Sequence, residues 1–111
     1  MKEINFDDFL RVHIRTGTIL EAIRNENARN PAYILHIDFG PFGVKTSSAQ
    51  ITENYQLNEL PGMVIMAVMN FPAKRIAGVK SEVLVLGAYS AEKGVVLLTP
   101  TDSVENGCLV G

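Results

Sequence analysis

The chain has 111 residues, 47% of them hydrophobic and 7% aromatic, with no tryptophan, which allows one modest core and not two. Ten Lys and Arg stand against twelve Asp and Glu, a formal charge of -2, so the chain lacks the overall basicity of a dedicated nucleic-acid-binding domain and any such role needs a local patch. The single Cys108 excludes an internal disulfide, and the two histidines, His13 and His36, are too few and too far apart to suggest a metal site. No cofactor is expected, and a reducing compartment fits best. The N-terminus carries acids where a secretory signal has its apolar core, and no apolar run nears the roughly 20 residues that cross a bilayer. A cytoplasmic protein without membrane insertion is expected.

In chain order, Asn5 can cap a short helix over residues 6–11, with Asp7 and Asp8 in its first turn, where the helix dipole favours them. Residues 14–23 are rich in Ile and Thr and read as a strand bent or bulged at Gly17. Residues 25–31 form a polar turn. Residues 32–39 alternate most clearly: Tyr33, Leu35, Ile37 and Phe39 share a buried face, while His36 and Asp38 meet solvent. Gly40, Pro41 and Gly43 reverse the chain into a strand over 44–50 with mostly small polar side chains. Residues 51–55 can make a helical turn capped by Thr52, and Pro61-Gly62 restarts the sheet. Residues 63–69 and 83–88 are continuous apolar runs of the length of strands covered on both sides, and 95–99 is a last strand before an irregular tail.

Five or six strands, small helices and no βαβ rhythm argue for an all-β fold, a Greek-key OB-type barrel in a single domain over residues 1–111. Between the two apolar runs lies residues 70–82, read as a stiff polar loop. Pro72 fixes its own φ, Gly78 permits a turn, and Lys74, Arg75 and Lys80 give one sign of charge opposed only by Glu82. Barrel closure can bring Lys45, Arg11 and Arg15 toward them, with Asn70, Ser47, Ser48 and Gln50 as hydrogen-bonding neighbours, which would make a phosphate-binding surface. The alternative is a solvated loop charged for solubility. Ser47 and Ser48 have no activating base in any recognisable motif, the carboxylates are scattered, and there is no phosphate loop, so no catalytic residue is assigned and an enzyme is not expected. Met63, Met66 and Met69 do not share one face of a strand and read mainly as core filling, with a flexible peptide-binding surface as the alternative. Phe71 is a candidate for apolar contact or base stacking, or else a plug at the barrel end.

Three segments carry a resemblance: Ile14 to Ile19 (IRTGTI), Ser47 to Thr52 (SSAQIT), and the stretch from Asn70 to Gly87 (NFPAKRIAGVKSEVLVLG). Together they resemble the CsaA family of export-related chaperones, within the wider tRNA-binding-domain family that includes appendages of some methionyl-tRNA synthetases. The similarity spans nearly the whole chain. It implies an OB-fold barrel that pairs into a homodimer, with N- and C-terminal segments extending the barrel toward the interface. It implies tRNA contacts at Arg15, Ser47, Asn70, Lys74, Arg75, Ser81 and Glu82; the residues' own chemistry adds Lys45, Ser48, Gln50 and Lys80. The Ser47–Thr52 sequence is the CsaA-like one, and for that branch the resemblance implies binding of unfolded or pre-secretory polypeptide in apolar clefts, here bordered by Phe71, Ile76 and Met69.

Overall fold

The computed structural model describes residues 1–111. Its centre is a five-stranded antiparallel sheet with β1 at Ile14–Arg24, β2 at Tyr33–Asp38, β3 at Val44–Ala49, β4 at Val64–Val68 and, later in the chain, β7 at Leu84–Val85. The strand order is β3-β2-β1-β4-β7. Three hairpin-linked strands followed by one that returns beside the first make a Greek key, and the sheet curls into the nearly closed barrel of an OB-type fold. Two small hairpins complete the β structure: β5 (Lys74–Ile76) with β6 (Val79–Ser81), and β8 (Gly87–Ser90) with β9 (Gly94–Leu97). No helix is long and apolar enough to cross a membrane.

The alternation in β2 does what its pattern requires. Tyr33, Leu35, Ile37 and Phe39 are all buried and pack with Ile19, Ile65, Ala67, Leu60 and Val83 in the barrel core. Burying each large apolar side chain is worth about 1.5–3 kcal/mol, so these alternate positions set the register of the sheet. His36, on the other face, is half-buried against Thr46 (3.2 Å) rather than free in solvent.

Several expectations need correction. Gly17 is not the bulge. The register of β1 against β2 shifts between Ile19 and Glu21, and Gly17 is small for another reason: a Cβ there would lie 2.7 Å from the Phe39 ring. The chain does turn at 52–54, within the expected 51–55, but the regular 3-10 helix follows it at Leu57–Glu59, where the Gln56 N–H donates to the Glu59 carboxylate at 2.8 Å. The apolar run 83–88 is not one strand; it divides between β7 and β8, which belong to different sheets. Strand β4 is fully buried on one face only, since Val64 and Met66 are half-exposed. Residues 70–82 are not an open loop: they contain the β5–β6 hairpin, turned at Ala77 and Gly78, whose φ values of 47° and 83° are those of a primed hairpin turn.

Both chain ends are attached to the barrel. The short helix α1 (Phe6–Leu10) starts where the Asn5 N–H donates to the Asp8 carboxylate at 3.0 Å. Asn70, at the end of β4, then fastens the link that follows: its Oδ1 accepts from the His13 N–H (2.9 Å) and its Nδ2 donates to the Arg11 carbonyl (2.7 Å). At the other end the tail runs along β1 at the edge β2 leaves vacant. Gly107 N–H donates to the Thr16 carbonyl (2.7 Å), Thr16 N–H to the Cys108 carbonyl (3.0 Å) and Val110 N–H to the Ile14 carbonyl (2.8 Å). The tail expected to be irregular is therefore an additional edge on the barrel.

Candidate functional site at the barrel seam

The open side of the barrel lies between β3 and β7, and side chains close one end of it. The outward N–H of Thr46 donates to Glu82 Oε1 (3.0 Å), and the Thr46 carbonyl accepts from the Glu82 N–H (2.8 Å). Ser48 N–H donates to Ser81 Oγ (3.1 Å), and Ser47 Oγ donates to the Val83 carbonyl (3.0 Å). Consecutive strand residues face opposite sides. Ser48 thus looks outward, whereas Ser47 is 1% exposed and points into the barrel. The sequence reading that placed Ser47 on an accessible surface is corrected here: it is a buried residue of the seam. Ser81 and Glu82 also hold the seam, but they remain half-exposed at its rim.

Beside this closure lies a groove of about 260 Å³, walled by Phe71, Pro72, Ile76, Val83 and Leu84, with Ser48, Lys74, Ser81 and Glu82 at its polar margin. Phe71 is 52% exposed and Leu84 50%, so two large apolar side chains stand in water at its mouth. A second hollow of about 270 Å³ shares Ser48 and Leu84 and continues along the seam past Gln50, Ile51 and Val85 to Tyr89. A third, of about 410 Å³, lies on the other side of Ser48 and Gln50, between Ile76 and the loop carrying Asn27, Arg29 and Asn30. These hollows meet around Ser48. Apolar surface gathered in a groove is the usual mark of an interaction site on a soluble protein.

The structure therefore brings two sets of expected residues together. Phe71 and Ile76, assigned to polypeptide, share a groove with Lys74, Ser48, Ser81 and Glu82, assigned to tRNA. Met69 is not part of it, because it packs half-buried on the core. Lys74, Arg75 and Lys80 are exposed on the hairpin, with Arg75 directly opposite Lys80. Like charges in that position repel. The acidic contacts of the basic side chains are Arg11 with Asp8 and, at 4.0 Å, His36 Nε2 with Glu21, so the hairpin cations carry their charge without an acidic partner.

Other expected residues lie elsewhere. Arg15 sits over the Phe42 ring at 4.4 Å and donates to the Gly107 carbonyl at 2.9 Å, so its guanidinium fastens the C-terminal tail. Nearby, the Glu105 carboxyl is held below its usual value by a backbone hydrogen bond and then by the Cys108 thiol, 3.5 Å away. Asn70 is exposed, but both ends of its amide are used in the clasp described above. Lys45 is half-buried on β3 opposite Ile37 and lines none of the three hollows. Sequence reasoning missed Leu84, Tyr89 and Arg29. Leu84 looked like core because it lies in an apolar run, yet it sits on a two-residue edge strand and turns outward. Arg29 had a usable signal, as the one cation of a polar turn rich in Asn.

With this geometry in place, the class is defined: the chain belongs to the tRNA-binding domain family, whose model matches residues 14–108. Within that family it is CsaA-like. It is 49% identical to the chaperone CsaA of Bacillus anthracis str. Ames, with a TM-score of 0.94 over 99% of this chain and 100% of that one. A CsaA chaperone protein from Picrophilus torridus is likewise 49% identical, with a TM-score of 0.93 over 98% of this chain and 100% of that one. The methionine–tRNA ligase of Flavobacterium johnsoniae is 33% identical over 96% of this chain, which spans 15% of that enzyme's length.

Proposed function

We propose that the protein is a non-enzymatic, cytoplasmic chaperone of protein export, a single domain acting as a homodimer, which holds unfolded or pre-secretory polypeptide in the seam groove. The observation that carries this is the groove itself, with Phe71 and Leu84 half-exposed at its mouth and Ile76 behind them. The likeness to CsaA chaperones over the full chain supports it. Pairing is supported by the apolar side chains left in water at both ends of the chain: Phe6 is 72% exposed and Leu109 60%. Titrating a reduced and alkylated, permanently unfolded polypeptide into the protein tests the reading. Micromolar binding that persists at 0.5 M salt and weakens at least tenfold in Leu84→Asp is expected; no binding, or binding indifferent to Leu84→Asp, overturns it. Sedimentation at micromolar concentration is expected to give a dimer, and a clean monomer removes the pairing.

A second reading is favoured by the unpaired cations of the hairpin. Lys74, Arg75 and Lys80 suit the phosphates of tRNA, and family membership supports that partner. Binding of this kind weakens steeply with salt, because each Lys or Arg contact releases condensed counterions. Affinity for tRNA that ignores salt would defeat it.

A further inference from the structure

From the backbone at the seam we infer that polypeptide is held there as an added β-strand, by its main chain as well as its side chains; this rests on the polypeptide-binding reading above. In an antiparallel ladder, residues along a strand alternate between pairing with one neighbour and pointing to the opposite edge. Thr46 and Ser48 spend their N–H groups on Glu82 and Ser81, so they face away from β2. The carbonyl of Ser48 faces the same way. Neither it nor the N–H of Gln50 has a partner in the protein.

Across the seam the same logic holds for Val85. The Leu86 N–H donates to the Met66 carbonyl, so Leu84 and the Leu86 N–H face β4, while the Leu86 carbonyl turns away to accept from the Leu98 N–H at 3.2 Å. Val85 then directs its N–H and carbonyl toward β3, again without a partner. The free edge of β3 thus runs along the 270 Å³ hollow with Val85 across from it, and the apolar side chains of Ile51, Leu84 and Tyr89 lie along it; the strand pairs with the β3 edge alone. The nearer end is already filled by Ser81 and Glu82, which act there as a short mimic of a neighbouring strand. Their bonds stop at Ser48, and there the free edge begins.

The occupant this edge fits is an extended polypeptide with alternate apolar side chains. Ser48 carbonyl and Gln50 N–H are two residues apart, the spacing that a strand laid alongside can satisfy. A main-chain partner of this kind accepts many sequences, because every non-proline residue offers the same donor and acceptor. Side chains then only need to alternate between the hollow and water.

The test uses the intact protein and a labelled peptide of alternating Val and Ser, with a Lys at each end. Two versions carry N-methyl groups on every Val or on every Ser. Methylation removes the donor and leaves the side chains. N–H groups of alternate residues point to opposite edges, so one version is expected to lose about tenfold or more in affinity while the other binds within a few-fold of the parent. Equal loss in both, no loss in either, or failure of the parent peptide to bind a protein that does bind unfolded polypeptide overturns strand addition and leaves the chaperone reading standing. Failure of the unfolded polypeptide as well overturns that reading too.

Discussion

Replacing Ser47 by Ala tests whether this serine serves the fold or a ligand. Its hydroxyl donates to the Val83 carbonyl at 3.0 Å, and both residues are buried, at 1% and 5% exposure. The substitution leaves that carbonyl without a partner out of reach of water, which costs about 1–3 kcal/mol. Unfolding entropy near 2.1 cal/mol/K per residue gives a chain of 111 residues a fall of about 4 °C in Tm per kcal/mol, hence about 4–12 °C for this variant. Calorimetry measures the fall, and titrations at a temperature where both proteins are folded are expected to show unchanged affinity for tRNA and for unfolded polypeptide. A variant with normal Tm and lost tRNA affinity would refute the seam role and restore Ser47 to the ligand surface.

Gly17→Ala puts a methyl 2.7 Å from the Phe39 ring and 2.8 Å from Ile37 Cγ2, in a core that cannot give way, and about 1–3 kcal/mol of stability should be lost in urea denaturation; an unchanged midpoint contradicts the packing account. The double variant Arg75→Glu with Lys80→Glu lies outside the groove walls, so polypeptide affinity should hold while tRNA binding collapses. If both contacts were to phosphate, the slope of log K against log salt becomes shallower by about 1.4–1.8, and an unaltered slope rules those contacts out. The Glu105 carboxyl titrates below its usual range in the folded protein. The stability it contributes is therefore full above the ordinary glutamate range and lost as pH falls through the lowered value. Glu105→Gln should flatten that acid limb of the Tm profile, and a limb identical to wild type would show that the carboxylate does not hold the tail.

The barrel was legible because its strongest signal is periodic. The alternation from Tyr33 to Phe39 has one reading, and the same residues form the observed core. The glycine in β1 was visible too, but its cause was not: a sequence shows a missing side chain and not the ring of Phe39 that needs the space. The hairpin in residues 70–82 was hidden by its turn, since Ala77 adopts positive φ beside Gly78 and alanine does not advertise that conformation. The run 83–88 misled for a related reason, as composition reports hydrophobicity and not which edge a residue meets. Of the cations picked out by type, Lys74 borders the groove, and Arg75 and Lys80 are exposed on the same hairpin. What could not be read was that Ser47, Asn70 and Arg15 have their polar atoms engaged by the chain itself, because those partners lie 36 to 92 residues away.

The most direct test of the shared groove is competition. Phe71 and Ile76 wall the same 260 Å³ hollow that Lys74 borders, and Arg75 and Lys80 lie on the same hairpin. Labelled unfolded polypeptide, bound to the protein at near-physiological salt, should be displaced by unlabelled tRNA, and the Arg75→Glu with Lys80→Glu variant should resist displacement while still binding the polypeptide. Simultaneous binding of both ligands to the wild-type protein, with neither affinity changed by the other, would contradict a single groove.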